Sequence, residues 1–526
     1  METPATTDPV SRILHPASRI APPLLYEINT RCWLSQFSDT RGRGLTLATV
    51  PDSEFGRWQE LGVTHVWLMG VWATGPRSRS VSLAAANFRR EAVQAPAGPG
   101  DEDIGGSPYA IAGYFVPETL GGESGLQVFR QRLHRRGMRL ILDFIPNHVG
   151  LDHPWLSERP DLFVQGRHET PETFAQNTRA GLRHFAHGRD PHFPPWTDTA
   201  QLDYRLPATC DAMLESLLAV AARCDGVRCD MAMLVLKDVF EKTWARFPIQ
   251  AGASGLFDQN IPDSAGTEFW PEAIALTKQA HPGCLFLAEV YWGLEERLQS
   301  LGFDYTYDKE LYDELVRRNP AGVQRRVLEA APRFLDAGIH FLENHDEARI
   351  ASILSLEEHR AAALLVLGLP GMRLLYHGQL EGALDMVPVQ LRRHRSEPIQ
   401  EEIVRMYRQL FAGLRRTAVG RGKVAVLKPC EASLGNPTAQ NFVLVQWQAE
   451  PPDFDLVAVN LAPHRSQCYA RPAIQNMADH AWLIEDRVGS EVYRRSGGGL
   501  EDPGLYLDMP GHGAQLLHFK AAPECR

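Results

Sequence analysis

The chain reads as an α/β protein: a (β/α)8 TIM barrel with a short insert after the third strand and a C-terminal antiparallel β domain. Three observations predict this. Short apolar or β-branched runs alternate with helix-period stretches through the first four-fifths of the sequence, as repeated βα units do. A segment from 150 to 204, rich in Pro, Gly, His and aromatic residues, interrupts the alternation once. Beyond about residue 420, strand-like runs separated by Pro and Gly turns replace helical periodicity.

The apolar runs predict strands over Leu24–Asn29, His65–Met69, Leu140–Phe144, Gly226–Asp230, Leu285–Glu289, Phe303–Tyr307, His340–Asn344 and Arg373–Tyr376. Between them lie amphipathic stretches such as Gly125–Arg136, where Leu126, Phe129 and Leu133 fall at i, i+3 and i+7 and form one apolar helical face. The 150–204 segment, containing HFAHGRDPHFPPW, is expected to leave the barrel after strand three, since long irregular inserts usually shape a site. Strands Phe442–Trp447, Leu456–Asn460 and Gln515–Phe519 are expected in the C-terminal domain. The predicted division is a flexible lead-in over 1–20, a barrel over 21–418 that includes the insert, and a β domain over 419–526.

A 526-residue chain with 44% hydrophobic and 22% charged residues has the composition of a packed globular enzyme. Its net charge of -10 disfavours a nucleic-acid partner, whose phosphates would need clustered Lys and Arg. No window of about 20 apolar residues and no signal-peptide pattern appear, so a cytoplasmic protein without a membrane partner is expected. The eight cysteines include no CxxC pair and are expected to be free, mostly buried thiols. The sequence carries no signal for oligomeric state.

Side chains at the carboxyl ends of barrel strands converge on one face, and the polar residues of this chain sit at those ends. Strand three ends in LILDFIPNHVG with Asp143, Asn147 and His148; strand four in GVRCD with Arg228 and Asp230. Strand five ends in LAEVYW with Glu289, and strand seven in FLENHDEAR with Asn344, His345 and Asp346. Retaining cleavage of a glycosidic bond needs one ionised carboxylate to attack the anomeric carbon and one protonated carboxyl to release the leaving oxygen. Asp230 and Glu289 can supply them. Arg228 lies two residues before Asp230, on the same strand face, and its charge is expected to keep that carboxylate ionised. Glu289, ending the apolar run CLFLAE, is expected to be raised by desolvation. Asp346 can grip sugar hydroxyls, and His148 and His345 can donate to them.

The motifs DFIPNH, GVRCD, the Glu of LAEV, and ENHD, in this order, resemble the four short regions of the α-amylase family of glycoside hydrolases. That resemblance implies a nucleophile at Asp230, an acid/base at Glu289 and a transition-state stabiliser at Asp346. It implies sugar-contacting roles for Arg228, His148 and His345, and a largely architectural role for Asp143. The stretch GSPYAIAGY resembles the family's loop after strand two and implies that Tyr109 stacks under the sugar being cleaved. YEINTRCW, PGMRLLYHGQLEG and the C-terminal β domain extend the likeness from Leu24 to the end of the chain.

Two features depart from the family's pattern. Met233 and Leu234 stand where many α-amylases have a Lys-His pair, which bears on leaving-group contacts and on the calcium site between barrel and insert. Asn147 matches one calcium ligand, but the same Asn-His pair occurs in relatives that hold no metal and the insert is short. No cofactor is therefore expected and structural calcium is not favoured. The expected partner is an oligosaccharide or α-glucan substrate, with hydrolysis and transglycosylation both open because they share one covalent intermediate.

Bland readings compete with these. His184, His187 and His192 with Asp190 match no zinc spacing and are expected as substrate contacts or surface loop. Phe193, Trp196 and Tyr204 fit a sugar-stacking wall and the insert's own core equally well. A barrel reused for binding is disfavoured by the complete set of carboxylates. A metal-dependent hydrolase is disfavoured because YEINTR lacks a paired-His motif.

Overall fold

The computed structural model describes residues 12–13, 23–37, 44–85, 100–249, 268–394 and 397–522. Eight strands run parallel and close into a barrel in sequence order. They are β1 (Leu24–Asn29), β2 (His65–Met69), β3 (Arg139–Phe144), β4 (Gly226–Cys229), β5 (Leu285–Ala288), β6 (Tyr305–Tyr307), β7 (Gly338–His340) and β8 (Met372–Tyr376). Every residue of β1, β2 and β4 is buried. Parallel strands covered on both faces need apolar side chains on both, which is why these strands are mostly apolar and not alternating; Glu27, Asn29, His65 and Arg228 are their buried polar residues.

The chain forms two compact units, one of residues 25–307 with 386–396, the other of residues 1–24, 308–385 and 397–526. In the first, register aligns Glu27 with Trp67, Trp67 with Ile141, Asp143 with Arg228, and Arg228 with Leu287. The helix Gly122–His134 buries Leu126, Phe129 and Leu133. Phe129 meets Phe55 and Trp58 of the helix Asp52–Leu61, and Trp33, at ring separations of 5.2–6.2 Å. The insert pairs His148–Gly150 with Thr199–Gln201 and holds a hairpin of Thr173–Thr178 and Gly181–Ala186.

In the second unit, β7 ends at His340, four residues earlier than the sequence predicts. The Asn344 carboxamide oxygen accepts from the amides of Asp346 and Glu347 at 2.9 and 3.1 Å, a side-chain turn that competes with strand extension. C-terminal to the barrel come β9 (Lys423–Leu427), β10 (Cys430–Glu431), β11 (Phe442–Gln448), β12 (Phe454–Asn460), β13 (Ser466–Ala470), β14 (Ala481–Asp486), β15 (Val492–Ser496), β16 (Leu505–Met509) and β17 (Ala514–Ala522). They form a seven-stranded antiparallel sheet that includes the short strand Arg12–Ile13, and a three-stranded sheet of β10, β13 and β16. Their shared core holds Phe454, Trp482 and Phe519, with the two phenyl rings stacked at 4.1 Å. Gly368 closes the helix Leu356–Gly368 against β12: a β-carbon there would meet Val457 Cγ2 at 2.8 Å. Most of the predicted lead-in lies outside the described residues. Among the described residues no helix is long and apolar enough to cross a membrane.

Candidate active site

Ladder hydrogen bonding continues one residue past β4 and β5: the Asp230 amide donates to the Phe144 carbonyl at 2.8 Å, and the Glu289 amide to the Cys229 carbonyl at 3.1 Å. Two carboxylates from adjacent strands are thereby fixed at the carboxyl end of the barrel. Arg228 joins them. Its Nη1 donates to Asp230 Oδ1 and its Nη2 to Glu289 Oε2, each at 2.7 Å. One planar fork holding both acids limits the separation of the bonded oxygens to about 8 Å.

Arg228 is 1% exposed, and its charge is compensated on every side. Asp143 Oδ1 lies 3.5 Å from Nη1, and the rings of Trp67, Tyr109 and Tyr307 lie 5.1–5.8 Å from the guanidinium carbon. Burial works against the cation, but Glu289, Tyr307, Tyr109 and Asp230 outweigh it and hold the guanidinium well above its ordinary pKa. Asp143 belongs to this frame: Oδ1 accepts from Trp67 Nε1 at 3.2 Å and Oδ2 from the Gly70 amide at 3.3 Å.

The two acids differ in their partners. Glu289 Oε1 accepts from the Tyr291 hydroxyl at 2.7 Å, and Oε2 accepts from the Met231 amide at 2.8 Å as well as from Arg228. Met231 donates because its backbone is left-handed, with φ 42°, an uncommon conformation for a side chain other than Gly, Asn or Asp. Asp230 is 5% exposed. Burial and the Glu289 carboxylate push its carboxyl up to about 8, with Arg228 opposing them. The expectation that the charge of Arg228 keeps this carboxylate ionised is corrected here: desolvation by burial outweighs the guanidinium. The Asp230 carboxyl thus keeps its proton into the neutral range.

Around them, Tyr109 stands over Arg228, and His148 bonds to the Tyr109 backbone. The His148 ring packs 5.2 Å from Trp196, and burial lowers its pKa to about 4, so it is neutral. Trp196 thus contributes to the site's wall, whereas Tyr204 packs on Phe240 and Phe269 as core. Phe193 is 66% exposed. The His192 ring lies 4.9 Å from Trp292, and His187 Nδ1 bonds the Thr199 carbonyl at 2.9 Å. Met233 and Leu234 are buried and offer no polar contact. In the second unit, Asp346 Oδ2 lies 3.1 Å from His345 Nε2. Glu343 accepts from Arg349 Nη1 and the Ile350 amide, each at 2.7 Å, bracing the segment between them.

The oxygens at Asn147 accept from a neighbouring side-chain amide. The Asn147 carbonyl, its Oδ1 and the Leu202 carbonyl all lie 2.8–3.0 Å from Gln201 Nε2. An internal amide nitrogen therefore already faces the oxygens that a hard cation would use.

Sequence reasoning missed Tyr291, which follows the end of β5 and reaches Glu289 through its hydroxyl. It also missed Met231 and Gln201. No sequence signal marks a left-handed methionine whose amide is the working group.

The profile described as the alpha amylase catalytic domain matches residues 54–413. An alpha-amylase, MalA, of Haloarcula japonica is 25% identical over 282 residues, 52% of this chain and 36% of that protein. Maltase 1 of Drosophila virilis is 23% identical over 405 residues, 68% of this chain and 58% of its own length. A 1,4-alpha-glucan branching enzyme, GlgB, of Chlamydia trachomatis is 25% identical over 211 residues, covering 38% and 25%. The chain thus spans only about a third to three-fifths of the first two. Among solved structures, an alpha-amylase from Lactobacillus plantarum superposes with a TM-score of 0.62 at 19% identity, covering 95% of this chain and 99% of the other. One from H. orenii does so with a TM-score of 0.62 at 18% identity, covering 95% and 100%. At these identities the superpositions speak to the fold alone.

Proposed function

Since the chain belongs to the α-amylase family, we propose that it is a retaining glycosidase acting on α-linked glucosides or α-glucans through a covalent glycosyl-enzyme intermediate. The observation that carries this reading is the pair of buried carboxyls on neighbouring strand ends held by one guanidinium, Asp230 and Glu289 on Arg228. The bound of about 8 Å set by the guanidinium admits the roughly 5 to 5.5 Å separation of retaining enzymes, and the family supplies the choice of retention. The names of the matched relatives, an alpha-amylase and a maltase, support the substrate class.

In this reading a sugar seated over Tyr109 presents its anomeric carbon to an Asp230 oxygen and its glycosidic oxygen to Glu289. The first step requires the proton held at Asp230 to pass to Glu289, which leaves Asp230 ionised for attack and Glu289 able to act as the acid. As the bond from Asp230 to the anomeric carbon forms, the glycosidic bond breaks and the Glu289 proton passes to the leaving oxygen. Water or a sugar hydroxyl then gives a proton back to Glu289 as its oxygen displaces Asp230. Asp346 takes the role of transition-state stabiliser by its place in the family's motif order, and His148 and His345 contact hydroxyls. Transglycosylation, in which a sugar hydroxyl takes the place of water in the second step, is the second reading because both reactions share the covalent intermediate.

Incubation with maltooligosaccharides, starch, trehalose, sucrose and isomaltose, with anomeric analysis of the products, tests the assignment. Products of retained α configuration are expected; inverted products, or none from any substrate, would sink it. An Asp230 proton lost near pH 8, and needed on Glu289 for the first step, should give a bell-shaped kcat/KM profile whose alkaline limb falls near that value. A profile flat from pH 6 to 10 contradicts that requirement.

The proposal includes independence from calcium, supported by Gln201 Nε2 among the oxygens of Asn147 and Leu202. A chelator is expected to leave activity and melting temperature unchanged, whereas Gln201→Ala should cost about 1–3 kcal/mol by leaving buried carbonyl groups unpaired. A fall in melting temperature with chelator that calcium restores would contradict it. Seven described cysteines are free, which suits a reducing compartment such as the cytoplasm; cell fractionation tests that location.

A further inference from the structure

The three-stranded sheet turns a polar and aromatic face outward. Along β16, Leu505, Leu507 and Met509 enter the core while Tyr506 and Asp508 point away from it. Along β13, Cys468 and Ala470 are inward while Gln467 and Tyr469 are outward. The strand register sets Tyr469 directly opposite Tyr506, and Gln467 opposite Asp508. The two rings lie 5.4 Å apart with 53° between their planes, and Tyr506 is 47% exposed.

The polar groups beside the rings are held in place. Asn436 Nδ2 donates to Gln467 Oε1 at 3.0 Å, and Arg465 Nε donates to Asp508 Oδ1 at 2.7 Å. Tyr506 and Asp508 also line a cleft of about 540 Å³ together with Tyr493, Arg495 and Gln515. The cleft runs along two strands that end their sheets, β15 of the seven-stranded sheet and β16 of the three-stranded one.

We propose that this tyrosine platform and cleft form a second α-glucan site carried by the C-terminal sheets; the inference rests on the α-glucan reading of the catalytic site. Paired aromatic faces receive the C–H faces of pyranose rings, and adjacent amide, carboxylate and guanidinium groups exchange hydrogen bonds with hydroxyls. The cleft is lined by charges of both signs, Glu491 and Asp508 with Arg360 and Arg495 among them, which suits a neutral polyhydroxyl chain better than an anion. An extended peptide adding to the free edge is the competing occupant. Edge strand β15, however, exposes Arg494 and Arg495, charges of the kind that deter strand addition.

The test compares the full-length parent with Tyr469→Ala/Tyr506→Ala and with Tyr506→Phe. Retardation in gels containing glycogen and steady-state kinetics on maltotriose and on soluble starch are the readouts. The double variant is expected to lose retardation and to raise KM for starch about tenfold, with maltotriose turnover within twofold of the parent. Tyr506→Phe, which keeps the ring, should retain both properties. Unchanged retardation of the double variant overturns the proposal, as does protection of the β15 amides by a peptide but not by glucan. If the parent turns over no α-glucan, the catalytic reading fails by itself, and tyrosine-dependent retardation still decides the second site.

Discussion

Asp230→Asn is expected to lower kcat on any turned-over α-glucoside by on the order of 10⁴-fold or more, while the chain folds as cooperatively as the parent. Asparagine keeps the size of the side chain and can still accept from Arg228 Nη1, but it cannot form the covalent intermediate. Stability should move in the opposite direction to activity. The Asp230 carboxyl is raised from 3.8 to about 8, so its neutral form stabilises the fold fully below the lower value, and that stability is lost as pH rises through the higher one. An uncharged asparagine avoids the loss. The variant should therefore melt with the parent near pH 4 and a few degrees above it near pH 9. Thermal melts at both pH values, with kcat, check this; full activity in the variant would exclude Asp230 as the nucleophile.

Arg228→Met should carry the largest stability cost, about 3–5 kcal/mol at neutral pH, together with loss of activity. Removing one partner of a buried ion pair leaves the others uncompensated. Here Arg228 faces three carboxylates, Asp143, Asp230 and Glu289, all of them nearly inaccessible to water. The loss should shrink as pH falls and these groups take up protons. Arg228→Lys, with a point charge in place of a fork, should restore part of the stability and little of the activity, because one ammonium cannot span both acids at 2.7 Å. Urea unfolding of the three proteins at pH 5 and pH 8 measures the effect. Equal stability of parent and Met variant at pH 8 would show that the cluster does not hold the site together.

Much of this arrangement was legible before any coordinates. The eight predicted runs all overlap barrel strands, and β1 and β2 match residue for residue, because strands buried on both faces leave a dense, non-alternating apolar signature. The predicted C-terminal strands overlap β11, β12 and β17. The miss at β7 has a local cause: Asn344 turns the chain with its own side chain, and propensity cannot weigh that turn against another pair of ladder bonds. The tyrosine pair of β13 and β16 is 37 positions apart in the chain and emerges only once strand register is set.

Which residue types stand at the carboxyl ends of which strands is a property of the chain, since apolar strands break off where polar side chains meet the barrel's open end. The proton's location is not. Asp230 is raised by a neighbouring carboxylate 59 positions away and by walls drawn from several strands, and Glu289 is held by an amide that works only because Met231 adopts a left-handed backbone. Dielectric, distance and backbone direction exist only in three dimensions, so folding decides how acids already present in the sequence divide their charge.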